Sequence, residues 1–369
     1  FNKSVNNLKS LGIFKKVNTD IKEGSNSSLK IIDINIEERP SGEISLSAGF
    51  GTTGELIGGG LKEKNFLGKG INLDTSLELT PESVKGNFVY AKPNFNNTDN
   101  TLFTSLKSST NDFLSNSGYK TSELGFSLGT KFEQFQNIFL SPEIDFLLED
   151  LETSNKASDV LKKQEGSYTD LYFNYTINQD LRDRKFRTQD GYQTFFSQEV
   201  PLISDNSEFS NAFEFSKFKK LSTKSDTIGK VSFFAKTITS LSDDVRISKR
   251  LNIPTNKLRG FEKGRVGPID NNDYVGGNHV TTLNLSATLP NILEDLDNLD
   301  IGVFFDAANI WGVDYNSSLD DKSTIRTSTG IAFNLLTPIG PLSFSFANAL
   351  TKASSDKTET FRFRLGTQF

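Results

Sequence analysis

The chain has 369 residues, with 41 basic and 46 acidic side chains and a formal net charge of -5. It contains no Cys, no Met, one His, one Trp and 32 Phe, which excludes thiolate chemistry and Cys-based metal sites. The sequence has no long run of basic residues that would bind a phosphate backbone, so it argues against nucleic-acid binding. No apolar stretch approaches the ~18 to 20 residues of a spanning helix, but strand alternation would hide a β-barrel from a hydropathy average.

The first 40 residues differ from the rest. Residues 2–12 carry three apolar side chains at helical spacing before a Gly, and two short strands follow at 14–21 and 29–37. The chain begins at Phe1 without the charged, apolar and small-residue order of a signal peptide. We therefore expect residues 1–40 to be the end of a small α+β domain, with an export signal and more of that domain upstream.

From residue 41 onward, apolar and polar positions alternate in segments of roughly 9 to 15 residues separated by turn residues. The last segment shows it best, with one face made of Phe361, Phe363, Leu365 and Phe369 and the other of Arg362, Arg364, Gly366 and Gln368. Charges in mid-strand would need partners in a dry sandwich core, whereas lipid outside and a wet lumen inside accept both faces. The pattern predicts an all-β, antiparallel transmembrane barrel over 41–369.

The alternation predicts sixteen strands. They lie near 42–50, 54–63, 70–80, 84–92, 99–110, 118–133, 137–149, 167–180, 191–203, 207–221, 226–241, 278–290, 299–310, 323–337, 341–351 and 359–369. The three longest linkers, about 150–166, 242–277 and 311–322, all follow odd-numbered strands, as expected when long loops share one side of a barrel.

Candidate catalytic and metal sites have simpler explanations. His279, the only imidazole, lies at a strand start with no nucleophilic Ser motif nearby. The glycine-rich segment "GGGLKEKNFLGKG" lacks the Gly-Lys-Ser/Thr order of a phosphate-binding loop. Three acidic pairs lack the spacing of a calcium-binding loop, and we interpret them as solvated charges in loops. They are Asp243 and Asp244, Glu294 and Asp295, and Asp320 and Asp321. We expect no enzyme activity, no metal and no cofactor.

Two charged residues stand out instead. Arg259 lies within the linker at 242–277, which is far longer than a hairpin needs, and long loops without secondary structure are usually functional or disordered. In "IGVFFDAANIW", outward Ile301, Val303 and Phe305 leave Asp306 pointing into the lumen. A buried carboxylate needs a cationic partner, and an inward-folded loop could supply Arg259.

Segments along essentially the whole chain, in order and at compatible spacing, resemble the BamA family, the central subunits of the outer-membrane β-barrel assembly machinery. "LKSLGIFKKV" with "DINIEERPSGEISLSAGF" resembles the end of the last periplasmic POTRA domain running into the first barrel strand. "KEKNFLGKG" resembles the turn after the second strand, and "LRGF" followed by "YVGGN" resembles the family's conserved loop six and the start of strand twelve. "FFDAANIW", "RTSTGIAFNLLTPIGPLSFSFANAL" and "FRFRLGTQF" resemble the last four strands.

The resemblance implies a latch, in which the loop-six Arg folds into the lumen and pairs with acidic residues of the barrel wall. The matching residues are Leu258, Arg259, Gly260, Phe261 and Asp306. A second acidic partner is expected on strand twelve, where Ser286 and Thr288 stand in place of a Glu. The latch is therefore expected to be weaker here or anchored elsewhere.

The resemblance also implies function. The expected activity is insertion of unfolded β-barrel clients into the outer membrane without nucleotide or covalent chemistry. The expected partners are those clients, the lipid bilayer and accessory lipoproteins that bind mainly to the periplasmic part. The expected location is the cell outer membrane, with the N-terminal part periplasmic.

A seam between the first and last strands is predicted to open sideways and pair with a client, because the first strand is short and both strands contain Gly. Its residues on the first strand are Gly42, Ile44, Leu46, Ala48, Gly49 and Phe50, and on the last strand Phe361, Phe363, Leu365, Gly366 and Phe369.

Three rival interpretations stay open at this stage. They are a passive porin, a polypeptide-secreting or autotransporter-assembling relative that shares loop six, and an outer-membrane hydrolase, the last disfavoured by the single His.

Overall fold

The computed structural model describes residues 1, 5, 8 and 12–366, except 27, 53, 186, 223–225, 291–297 and 338–339. Most of the predicted helix at 2–12 and seam residue Phe369 lie outside the described residues. Within the described part, no helix is both long and apolar enough to traverse a bilayer.

Twenty strands are described, together with one short helix, α1 (Asp159–Lys162). The strands are β1 (Phe14–Glu23), β2 (Lys30–Glu38), β3 (Gly42–Gly51), β4 (Gly54–Phe66), β5 (Ile71–Leu79), β6 (Ser83–Lys92), β7 (Thr101–Phe113), β8 (Tyr119–Phe135), β9 (Ile138–Thr153), β10 (Gly166–Asp180), β11 (Gly191–Ser204), β12 (Glu208–Lys220), β13 (Ile228–Ser240), β14 (Ile269–Asp270), β15 (Asp273–Tyr274), β16 (His279–Pro290), β17 (Leu299–Trp311), β18 (Arg326–Thr337), β19 (Gly340–Thr351) and β20 (Phe361–Leu365).

Sixteen of these strands, β3–β13 and β16–β20, form one closed antiparallel barrel in which β20 returns to β3. The alternation places apolar side chains outside, where Leu124, Phe126 and Leu128 of β8 are exposed, and buries Ser127 of the same strand. This is the polarity that lipid outside and a polar lumen require. The sequence prediction of a sixteen-stranded antiparallel barrel is confirmed.

β1 and β2 form a separate antiparallel pair before the barrel. Ile32, Ile34 and Ile36 of β2 are each about half exposed. An amphipathic sheet usually buries such a face against another layer. The assignment of residues 1–40 to a periplasmic domain stays a prediction.

The last strand is shorter than predicted, since β20 ends at Leu365. Gly366 follows with φ +105°, a left-handed conformation that favours Gly, and its backbone N–H donates to the Pro341 oxygen of β19 at 3.0 Å. β20 pairs with β3 at two described positions, Arg364 with Gly51 and Leu365 with Phe50. β3 instead pairs with β4 along its whole length.

The connection between β13 and β16, residues 241–278, is called loop six here. It folds into the barrel and packs its apolar side chains against the inner wall. The shared buried cluster contains Ile238, Val245, Leu251, Leu258, Phe261, Val266, Val280, Ala308 and Ile310. Loop six therefore provides the apolar packing that a hollow barrel lacks.

Candidate functional site

Arg259 and Asp306 meet inside the barrel. Arg259 lies in loop six and Asp306 in the middle of β17, where its side chain is fully buried. Arg259 Nε donates to Asp306 Oδ2 and Nη2 donates to Oδ1, both at 2.7 Å, and the backbone N–H of Arg259 donates to Oδ2 at 3.1 Å. The guanidinium carbon also lies 3.4 Å from the ring centroid of Phe304. This bidentate, stacked arrangement fixes the position of the loop as well as the charge.

The neighbouring strand β16 contributes an amide to this ion pair. Asn284 lies directly opposite Asp306 in the β16–β17 register and donates to Asp306 Oδ1 at 2.9 Å. The same amide donates to the backbone oxygen of Lys257 in loop six at 2.6 Å. Ser286 and Thr288 lie opposite Phe304 and Gly302, farther along the strand. The β16 residue that bridges the loop and Asp306 is thus Asn284, which sequence reasoning missed.

Gly260, next to Arg259, has φ +85° and packs against β18 and β19, the strands that follow β17 around the barrel. A Cβ at this position would lie 3.1 Å from the Cβ of Ala347 on β19. Both the left-handed backbone and this close approach favour Gly. Leu258 and Phe261 on either side are almost completely buried in the apolar cluster.

A second arginine of loop six, Arg246, is buried at the other wall among three carboxylates. Its Nη2 donates to Asp170 Oδ2 at 2.6 Å and to Glu208 Oε2 at 2.8 Å, and Nη1 donates to Glu149 Oε2 at 3.3 Å. Arg246 and these three acidic side chains are each at most 2% exposed. Tyr168 stacks its ring 4.4 Å from the guanidinium carbon.

The carboxylates around Arg246 favour its protonated, charged form. Burial by itself lowers the pKa of Arg246, but the hydrogen bond and charge of Glu208, with the charges of Glu149 and Asp170, raise it above the ordinary value. Lys249 also approaches Glu149, at 3.4 Å. Burial lowers the pKa of Lys249, but the charges of Glu149 and Glu123 raise it by more, so the pKa of Lys249 lies above its ordinary value. The carboxylates thus keep two cations of loop six charged inside the protein.

A third contact links the start of loop six to the connection after β17. Arg250 pairs with Asp314, which also accepts hydrogen bonds from the Asn278 amide and from the Val245 backbone N–H. Burial raises the pKa of Asp314, but the Arg250 charge and these hydrogen bonds lower it to a net value below its usual range.

The seam residues lie at the edge where β3 meets β20. Ile44, Leu46, Ala48 and Phe50 point outward and are exposed. Phe363 accepts a hydrogen bond from Thr52 through its backbone oxygen at 3.0 Å, and its ring contacts that of Phe50 at 6.3 Å between centroids. Gly366 lies against the β3 backbone, since a Cβ there would come within 2.1 Å of the Ala48 oxygen. Between Gly42 and Ser47, β3 has no register partner on β20 among the described residues.

The residues with simpler explanations are placed as follows. His279 stacks on Trp311, with ring centroids 5.3 Å apart. Asp321 accepts the backbone N–H of Val313. Glu294 and Asp295 fall outside the described residues. In the part of the chain that the structure describes, no group of three or more His, Cys, Asp or Glu could hold a metal ion.

Sequence reasoning did not single out Arg246, Glu149, Asp170 or Glu208. The available signal was the same one that pointed to Arg259: a cation in the long linker and carboxylates on the inward face of strands. Glu149 lies near the C-terminal end of β9, and Asp170 and Glu208 lie near the N-terminal ends of β10 and β12, which places all three at one end of the antiparallel barrel. Their convergence on Arg246 depends on barrel curvature, which no short sequence pattern encodes.

These features define a closed sixteen-stranded barrel whose long loop is anchored in the lumen. Residues 65–369 match the model of the Omp85 superfamily domain. The chain belongs to the Omp85 superfamily.

Relatives and solved structures agree with this assignment. The chain is 21% identical over 365 residues to the outer membrane protein assembly factor BamA of Neorickettsia risticii (strain Illinois), covering 97% of this chain and 49% of the relative. It is 25% identical over 426 residues to that of Neisseria meningitidis serogroup B, covering 97% and 51%. The chain thus spans about half the length of these curated relatives.

Two solved structures share the fold. The structure of BamA from Haemophilus ducreyi lacking POTRA domains 1–3 has a TM-score of 0.84 at 23% identity, covering all of this chain and 78% of that one. CdiB from Acinetobacter baumannii has a TM-score of 0.61 at 12% identity, covering 98% and 67%.

Arg246→Ala is expected to release the start of loop six, because it leaves the buried Asp170 and Glu208 without their cation and Glu149 with Lys249 alone. Removing one partner of a buried ion pair typically costs about 3 to 5 kcal/mol. Limited proteolysis of the folded barrel should then cut loop six much faster than in the parent. Arg184→Ala, which removes a half-exposed arginine, is the matched control. Equal resistance of both variants would contradict an anchoring role for Arg246.

Acidification is expected to weaken the Arg250–Asp314 contact. The pKa of Asp314 is lower in the folded protein than the ordinary 3.8, so its stabilising contribution is present above about pH 4 and is lost as pH falls through the folded value. Unfolding measured between pH 6 and pH 3 should therefore show a smaller loss of stability for Asp314→Asn than for the parent. If both proteins lose stability equally as the pH falls, the Asp314 carboxylate does not contribute to the pH dependence of stability.

Proposed function

We propose that the chain is the barrel of an outer-membrane insertase that folds β-barrel clients into the bilayer through the seam between β3 and β20. The observation that carries the proposal is the pairing of these strands at two described positions, Arg364 with Gly51 and Leu365 with Phe50. The BamA names of the curated relatives and the fold of the H. ducreyi barrel support it.

The physical reason for such a seam is the cost of unpaired backbone in hydrocarbon. A client strand that enters the bilayer alone exposes N–H and C=O groups, each costing several kcal/mol. We propose that the exposed edge of β3 satisfies these groups by β-augmentation once its contact with β20 opens, since that contact has only two paired positions among the described residues. The process needs no nucleotide, metal or covalent intermediate, so we propose that the chain is not an enzyme.

The proposed location is the outer membrane, with the β1–β2 part in the periplasm. The proposed partners are unfolded β-barrel clients, lipid and accessory lipoproteins of a BAM complex. A porin or a polypeptide-secreting relative would instead conduct ions or export a soluble chain. Conductance and client-insertion assays on the full protein distinguish these activities.

A disulfide across the seam is expected to abolish insertion. Phe50→Cys with Leu365→Cys places two thiols at directly opposed positions, where Cβ separations suit a disulfide, and the chain has no other Cys. Client insertion by the full protein in liposomes should stop on oxidation and return on reduction. The control pair, Val303→Cys with Ile331→Cys, locks β17 to β18 at an opposed position that need not open. Full insertion by the oxidised seam pair would refute the proposal.

Arg259→Ala is expected to reduce insertion by disordering loop six. This change also leaves Asp306 buried without its cation, which would destabilise the barrel for a separate reason. Arg259→Ala combined with Asp306→Ala removes that unpaired charge and serves as the control. The double variant should recover stability in urea titrations but not insertion. If the double variant recovers both stability and insertion, the ion pair only compensates the charge of Asp306 and has no role in insertion.

A further inference from the structure

Loop six also contacts the segment that leads into the last barrel strand. Phe261 forms an isolated antiparallel bridge with Thr358. The Glu359 backbone N–H donates to the Gly260 oxygen at 3.1 Å, and the Glu262 N–H donates to the Lys357 oxygen at 3.1 Å. Residues 357–359 were predicted to lie at or just before the start of the last strand, but they pair with loop six instead. The residues after Arg259 are thus part of a small ladder beside the seam.

Arg362 extends this contact onto β20 itself. Its side chain is buried on the lumenal face, where Nη2 donates to the Phe261 oxygen at 2.6 Å and Nη1 donates to the Thr255 oxygen. Glu359 accepts from Nε and balances the charge. A planar guanidinium that spans two backbone oxygens fixes both distance and orientation, which a Lys could not do.

These contacts carry weight because β20 has little support on its β3 side. It pairs with β19 from Phe361 to Leu365 and with β3 at two described positions. Arg362 contributes two charge-assisted hydrogen bonds, each stronger than a neutral one, from the interior of the barrel. Loop six is in turn held to β17 through Arg259 and Asp306.

We infer that Arg362 is the positioning residue through which loop six holds β20 against β3, so that the Arg259 latch and the seam act as one mechanical unit. This inference rests on the proposed function, because it assigns to the Arg259 latch the control of the seam through which insertion is proposed to occur. The connection runs from Asp306 through Arg259, Gly260 and Phe261 to Arg362. Loosening either end of it raises the population with an open seam.

The test measures seam width directly, in lipid bilayers and without a client. Spin labels on Phe50→Cys of β3 and Phe361→Cys of β20 report the distance across the seam, since both side chains are exposed close to the β3–β20 contact and the chain has no other Cys. Arg362→Ala should raise the longer-distance population about tenfold, which corresponds to about 1.4 kcal/mol. Arg259→Ala should raise the same population, and the two changes together should add little more.

Three further variants serve as comparisons for this test. Arg187→Ala removes a lumenal arginine that pairs with Asp300 at the other end of the barrel and should leave the distances unchanged. Glu359→Gln keeps the backbone contacts of Arg362 and should have a small effect. If Arg362→Ala does not fold, Arg362→Lys, which can reach only one oxygen, should give an intermediate open population. An unchanged distribution in a folded Arg362 variant, or an Arg259→Ala seam like that of the parent, overturns the inference, whatever the outcome of the insertion assay.

Discussion

Closure of the backbone ladder is the constraint on which this barrel depends. Inside a bilayer every N–H and C=O must be paired within the protein, so sixteen strands have to return to the first. Among the described residues the ladder is continuous from β3 to β20, and its shortest pairing is the one between β20 and β3. Gly366, with φ +105°, donates its backbone N–H to the Pro341 oxygen of β19 and lies against the β3 backbone. Among the described residues, closure is therefore weakest at the two-position contact between β20 and β3.

Loop six compensates for the absence of a conventional core. A barrel wall with lipid on one side and water on the other has little apolar surface to bury against itself. The loop brings Leu258, Phe261 and neighbouring residues onto the inner wall, and it brings arginines to carboxylates that would otherwise be buried alone. Buried ion pairs add little net stability over apolar packing but impose one geometry. Here that geometry fixes where the loop lies relative to the seam.

The anchors divide the loop between opposite parts of the wall. Arg246 binds β9, β10 and β12, whereas Arg259 binds β17 and the following residues contact the approach to β20. The loop thus connects strands that are distant around the barrel circumference. The coupling proposed above uses these anchors, because packed backbone connects them to the approach to β20.

The sequence by itself determined the strand count, the side of the long loops and the inward direction of Asp306, because each follows from a two-residue period or from local composition. It also placed Arg259 in an unusually long linker. The tertiary structure decided which strand residue joins the ion pair, Asn284 instead of Ser286 or Thr288. It also decided that Arg246 gathers three carboxylates and that Arg362 reaches loop six. These contacts depend on strand register and barrel curvature, which bring together residues far apart in the chain and leave no short-range signal.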